Sequence, residues 1–272
     1  MALEEEQQSG YGTWNRPTVF YNKYVKWGLY VLIVGFVVWS MWDIRISADR
    51  FVVGIEAAAE LLRNMFPPEL TPRKRELLVS GIVESINMSI VATVLGIAIS
   101  IPVGFMAAEN LVPRSVYYVN RGIISITRSF HELIVAIVAV KAVGFGPLAG
   151  VIALSFKTIG FFGKLLAEDL EDIDEGQIEA IRAAGGSRFQ VLTYGVLPQV
   201  LPRIVGLSIY RWDINIRHST VVGIVGAGGI GVTLLNSFQK YDYDYSLTII
   251  LAIVGIVLVG EAVSAIVRRR VQ

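Results

Sequence analysis

Long uncharged apolar stretches separated by short charged segments dominate the chain. A helix crossing a bilayer core needs roughly 20 mostly apolar residues, since about 30 Å is covered at about 1.5 Å per residue. Residues 24–42 meet that length, with no charge between Lys26 and Asp43 and with Trp27, Trp39 and Trp42 near the ends, where interfacial anchors lie. The run 81–108 is uncharged between Glu84 and Glu109 and carries Gly96, Pro102 and Gly104, which membrane helices tolerate. Residues 119–143 and 147–166 read as a tight helical hairpin about the turn Gly144-Phe145-Gly146-Pro147. A last run, 245–267, has no charge before Glu261 and stops at Arg268-Arg269-Arg270, a basic cluster expected on the cytoplasmic side.

Residues 197–236 contain an apolar stretch, the polar segment 211–217 and an uncharged glycine-rich stretch, so their length permits one span or two. If the loop 168–188 and the basic C-terminus are both cytoplasmic, an odd number of crossings lies between them. One span, with the glycines at its outer end, gives six spans and both termini inside. Arg73, Lys74 and Arg75 then fall in an outer segment, 44–80, against the positive-inside rule. Ile55, Leu61, Leu62 and Phe66 before Pro67-Pro68 suggest a peripheral helix there. The opening residues 1–23 read as a cytoplasmic tail. The acids Glu4, Glu5 and Glu6 and the ending Trp39-Ser40-Met41-Trp42 argue against a cleaved signal peptide, and one membrane domain is expected.

Composition agrees: 54% of the 272 residues are hydrophobic and 17% charged, with a mean hydropathy of +0.58. The 24 basic and 23 acidic residues nearly cancel, leaving no basic excess to hold nucleic acid. Zero cysteines exclude disulfides, thiolate metal sites and cysteine nucleophiles. Two histidines, His131 and His218, are too few for a histidine metal cluster, and no metal is expected.

Between the fourth and fifth spans an acidic patch, Glu168 to Glu175, precedes two short helical patterns. Ile178, Ile181 and Ala184 or Gly185 recur on one face, Gly185 and Gly186 can end a helix in the left-handed conformation, and Ser187 with Gln190 fits a capping box. Composition alone allows an amphipathic loop lying on the membrane. However, Glu179-Ala180, then Gly185, then Leu197-Pro198 resembles the EAA loop of ABC importer permeases in order and spacing. Ile181 stands where the second alanine is usual, and Gly195 where isoleucine is usual. The resemblance implies a coupling loop, 168–196, built on Glu179, Ala180, Gly185, Gly186, Ser187, Leu197 and Pro198, that inserts into a cytoplasmic ATPase subunit.

Gly226-Ala-Gly228-Gly229-Ile-Gly231 satisfies the glycine fingerprint of dinucleotide-binding folds, but the strand, helix and acidic ribose ligand that the chemistry needs are not in the pattern. These glycines, with Gly223, read as a helix end or a close helix approach. The segment from Tyr210 to Gly231 is similar to that of phosphonate ABC transporter permeases. So are Arg128-Ser129-Phe130-His131-Glu132 and Val143-Gly-Phe-Gly-Pro147, which extends the resemblance from about residue 81 to the C-terminus.

Charged residues inside or beside spans need partners or water. Arg128 with Glu132, and Asp213 with Arg217, are four apart and can neutralise each other on one helical face. Arg211 has only Asn215 at that spacing and is expected to face the translocation path. Arg128, Ser129, Glu132, Arg211, Asp213, Asn215 and Arg217 are thus the candidate path or gate.

The resemblance implies an all-α, polytopic integral membrane protein of about six transmembrane helices with the type I ABC importer (MetI-like) permease fold. It implies a homodimer in the cell membrane, importing a phosphonate or a related phosphorus oxyanion, phosphite or phosphate. ATP and Mg would be bound by a cytoplasmic ABC ATPase dimer, since no Gly-x-x-x-x-Gly-Lys-Ser/Thr motif is present, and an extracytoplasmic solute-binding protein would deliver substrate. This chain would hold no cofactor and no catalytic residue. The rivals are a permease for another small solute such as methionine, and a membrane-embedded enzyme acting on a lipid or phosphoester through Arg128, His131, Glu132 and Asp213.

Overall fold

The computed structural model describes residues 22–44 and 48–271, so most of the opening tail, 1–21, lies outside the described residues. The chain divides after Glu60 into two units. The first contains α1 (Lys23–Asp43) and most of α2 (Ala48–Asn64). Asn22 caps α1 by accepting from the N–H of Tyr24 at 2.9 Å, and no side chain of α1 is buried, as suits a helix apolar all round. Helix α2 falls within segment 44–80, where the apolar pattern suggests a helix.

The second unit contains α3 (Pro72–Met106), α4 (Arg114–Ser129), α5 (Glu132–Val143), α6 (Pro147–Glu171), α7 (Glu175–Ala183), α8 (Arg188–Gln190), α9 (Leu197–Gly223), α10 (Ile230–Gln239) and α11 (Tyr243–Val271). Its centre is the pairing of α3 with α6. Small residues let the two backbones close: a Cβ on Gly96 would lie 2.5 Å from Thr158, and one on Gly104 would lie 2.9 Å from Leu166. Ser155 on α6 donates to the Ala92 carbonyl of α3 at 3.2 Å, which supplies a polar tie where hydrophobic driving force between helices is weak.

Two expected boundaries move. Helix α3 starts at Pro72, not at residue 81, because proline at the first turn fits a helix start and Lys74 of the basic turn finds acidic partners, Glu69 at 2.5 Å and Asp242 at 3.0 Å. The third span, expected as one helix over 119–143, is two helices bent by 91° at Phe130 and His131. Among the described residues five helices are long and apolar enough to cross a membrane, or up to six spans if α4 and α5 count as one. Within region 197–236, α9 belongs to a helix long and apolar enough to cross, whereas the 10-residue α10 is too short.

Candidate functional site

The loop after α6 folds into a knob. Asp174 caps α7 by accepting from the N–H of Gly176 at 2.9 Å, and Ile178 turns inward onto a core that includes Leu170, Val191 and Val196. Glu179 and Ala180 stay exposed. Helix α7 ends where Gly185 takes φ +80°, and the N–H of Gly186 bonds back to the Ile181 carbonyl at 3.0 Å. Gly186 itself is not left-handed; it is needed small, because a Cβ there would meet Ile181 Cγ2 at 2.7 Å. Ser187 and Gln190 close the expected capping box. Helix α8 then runs through a π-helical turn, Val191–Val196, into α9. Pro198 can donate no backbone hydrogen bond, and the wider turn, in which the N–H of Leu197 reaches the Leu192 carbonyl, absorbs the misfit.

The knob's seat is tied to the membrane helices. Arg121 bridges Glu171 at 2.7 Å and donates to the Ala107 carbonyl at 2.9 Å, Arg203 meets Asp169 at 3.3 Å, and Asn110 donates to the Leu170 carbonyl at 2.8 Å. The outer side of the knob carries Phe189 and Tyr194, 75% and 68% exposed beyond the apolar runs, which the sequence pattern did not single out. A hollow of ≈ 460 Å³ opens beside Tyr194, lined also by Ala180, Ile181, Gly185, Gly186 and Gln190.

A second set of polar residues lies inside the spans. Arg211, 2% exposed, donates from Nε to Thr158 Oγ1 at 2.9 Å; Asn215 donates to the same oxygen at 3.3 Å and to Thr93 Oγ1 at 2.8 Å. Arg211 and Asn215 therefore meet through a threonine of α6 and not directly along α9. The Arg211 guanidinium also lies over the Phe161 ring, 5.3 Å from its centre, while its Nη2 and the Asn215 Oδ1 find no protein partner. Asp213 and Arg217 pair at 3.4 Å on one helical face, as their spacing predicts.

Arg128 and Glu132 do not pair, because the bend puts them on different helices. Glu132 is turned inward, with Oε1 3.2 Å from Nδ1 of His218 on α9, within ion-pair reach although not aligned as a hydrogen bond. Arg128 and Ser129 are exposed. Lys157 satisfies the open end of α4 by donating to the Arg128 and Phe130 carbonyls at 3.1 and 2.9 Å.

The glycine run is a tight turn between α9 and α10. Gly226, Gly228 and Gly229 all have positive φ, and Cβ atoms on Gly223 and Gly231 would strike backbone across the turn, the latter 2.0 Å from the Thr220 carbonyl oxygen. Glu84 and Ser85 of α3 hold it, accepting from the N–H groups of Gly229 at 3.1 Å and Ile230 at 2.9 Å. A helix precedes the glycines, so the dinucleotide arrangement is absent.

A family described as "Binding-protein-dependent transport system inner membrane component" matches residues 100–272. The chain belongs to that family. It is accordingly a permease subunit of the ABC importer type, a multi-pass protein of the plasma membrane and a transport component, not an enzyme. The permease is 37% identical over 244 residues to the phosphite transport system permease protein PtxC of Stutzerimonas stutzeri, covering 89% of this chain and 88% of the relative. It is 36% identical over 257 residues to the phosphate-import permease protein PhnE of Mycolicibacterium smegmatis, covering 94% of this chain but only 48% of that longer protein. A probable D-methionine transport system permease, MetI of Pasteurella multocida, is 31% identical over 173 residues, 60% of this chain and 80% of the relative. The inward-facing MetNI methionine ABC transporter has the same type I permease fold, with a TM-score of 0.66 at 24% identity over 75% of this chain and 100% of that one.

Proposed function

We propose that this permease imports a phosphonate or a related phosphorus oxyanion, phosphite or phosphate, as one of two identical copies around a pore. The observation that carries the reading is the long alignment with relatives named for phosphite and phosphate transport, which covers more of the chain than the alignment with the methionine permease. The exposed knob fits the ATPase contact: Glu179, Ala180, Phe189 and Tyr194 offer it an acidic and aromatic surface. With the knob in the cytoplasm, α9 and α11 return the basic C-terminus, and α1 the N-terminal tail, to the same side. ATP and Mg belong to the partner ATPase dimer, and an extracytoplasmic binding protein delivers the solute. The exposed Arg128 and Ser129 border the path, with Arg217 exposed on α9, while Glu132, Arg211, Asp213 and Asn215 hold the helices around it.

Co-expression with the ATPase and binding protein encoded beside it, reconstitution, and an assay of ATP hydrolysis with phosphonate, phosphite, phosphate and methionine tests the reading. Stimulation by one phosphorus oxyanion through its binding protein is expected. Stimulation by methionine alone would reassign the solute. Hydrolysis that never depends on this chain would overturn the permease role and favour a membrane enzyme.

A further inference from the structure

A second hollow, of ≈ 660 Å³, lies between the knob and the C-terminal end of α3. One wall is Phe105, Met106 and Leu111, from the end of α3 and the loop to α4; the other is Val191, Leu192 and Val196 of the π-helical turn. Arg182 of α7 and Arg188 of α8, on either side of the Gly185-Gly186 turn, both line it. Both are exposed, and among the described residues neither lies within ion-pair distance of a carboxylate, not even of Glu179 one turn before Arg182. The knob's other nearby arginines are already paired, Arg121 with Glu171 and Arg203 with Asp169.

The uncharged run of α3 ends at Glu109, so Phe105 and Met106 stand in its last turn, where hydrocarbon gives way to headgroups. Near the start of α4, Tyr117 and Tyr118 pack edge to face with ring centres 5.1 Å apart and Tyr118 exposed, as aromatic residues at that boundary do. The hollow thus joins apolar walls at membrane level to two cations of the knob. Met106 and Leu192 are each 38% exposed there, an apolar area that water covers only at a cost. A free oxyanion would satisfy the arginines and leave these walls wet. A water-soluble subunit would have to reach the level of the lipid tails to cover them. An amphiphile with an acidic headgroup meets both requirements at once.

We propose that this hollow holds one anionic phospholipid of the cytoplasmic leaflet, its phosphate on the Arg182 and Arg188 guanidiniums and an acyl chain along Met106, Leu111 and Leu192. This rests on the importer reading in that the knob lies on the cytoplasmic side. Basic pockets against membrane helices on that side take acidic lipid headgroups, and the planar guanidinium matches a phosphate with two parallel N–H donors. Arg182 and Arg188 belong to the two arms of the turn at Gly185, so a phosphate shared between them ties both arms to the end of α3 and braces the knob.

The test uses the assembled transporter, ATPase subunits included, purified in mild detergent, with native mass spectrometry following retention of added phosphatidylglycerol or phosphatidylcholine of matched chains. Wild type should hold phosphatidylglycerol about tenfold more tightly. Arg182→Gln and Arg188→Gln should each weaken it about fivefold, as loss of one basic residue beside an anionic headgroup does. Leu192→Gln should weaken both lipids. Arg268→Gln with Arg269→Gln removes two charges from the basic C-terminus and should leave retention unchanged, which controls for general attraction. Glycerol phosphate, a headgroup without chains, should not displace the lipid. Equal retention of the two lipids, retention that both arginine variants leave intact, or displacement by glycerol phosphate would overturn the lipid site. Loss of the ATPase subunits from the arginine variants with lipid retention unchanged would make the hollow an ATPase contact and overturn it as well. Failure of the importer reading is separate: it would appear as wild-type ATP hydrolysis indifferent to every phosphorus oxyanion, while lipid retention is still read.

Discussion

Ile181 of α7 lies over Gly195 of the π-helical turn, its Cδ1 3.1 Å from where a glycine Cβ would be. These are the two positions at which the loop departs from the usual EAA pattern, and the departures compensate: a large residue replaces a small one where a small one replaces a large one. Restoring either half alone should damage the knob. Ile181→Ala leaves a gap, and Gly195→Ile overpacks the contact by about 1–3 kcal/mol. The double variant should recover most of the loss. A double-mutant cycle on the apparent Tm of the purified permease, read beside ATPase coupling, would show it; additive losses would refute the compensation.

Gly185 occupies a left-handed position with φ +80° and open space around its Cβ, so its constraint is backbone strain and not packing. Gly185→Arg should cost the turn about 1–2 kcal/mol while the spans stay folded. Glu179→Lys reverses an exposed charge on the same knob. Both variants should insert and fold normally yet lose solute-stimulated ATP hydrolysis. Normal transport by both would count against the coupling role.

Thr158 is the acceptor that Arg211 and Asn215 share. Thr158→Val keeps the shape and leaves buried donors unsatisfied, which should cost about 1–3 kcal/mol. Thr158→Ser, which keeps the hydroxyl, should stay near wild type. Thermal unfolding in detergent separates the two, and equal stability of the valine and serine variants would mean that Arg211 is held otherwise.

Much of this architecture was legible in the apolar runs, because a span needs length and apolarity and both are written locally. The knob was legible for another reason: Gly185 and the Ser187–Gln190 box are short-range signals that act within a few residues. The bend in the third span was not, since Phe130-His131 contains neither proline nor glycine; it is stabilised from a distance by Lys157 and Gly160 of α6. For the same reason Arg128 and Glu132 read as a helical pair. Thr93, Thr158, Glu84 and Ser85 were missed because their partners are more than fifty residues away and nothing at helical spacing points to them.

Glu84 and Ser85 clasp the glycine turn to α3, so the turn's position should depend on acceptors at these two sites. A carboxylate at the start of α10 is also favoured by that helix's amide end, by about 0.3–1 kcal/mol and up to about 2 kcal/mol when partly buried. Glu84→Gln retains the acceptor and loses the charge; Glu84→Leu loses both and should lower the apparent Tm further. Ser85→Ala should add to the leucine loss less than independently, because the two acceptors hold adjacent amides. Gly231→Ala tests the same turn from the other side. Its Cβ would meet the Thr220 carbonyl oxygen and the Gly223 backbone, neither of which is the end of a flexible side chain, so yield of folded protein should fall sharply. Gly255→Ala on α11, with nothing within 4 Å of its Cβ in this chain, is the matched control and should fold at the wild-type yield. Equal yields for the two alanine variants would mean that the turn relaxes without cost and that Glu84 and Ser85 do not fix its place.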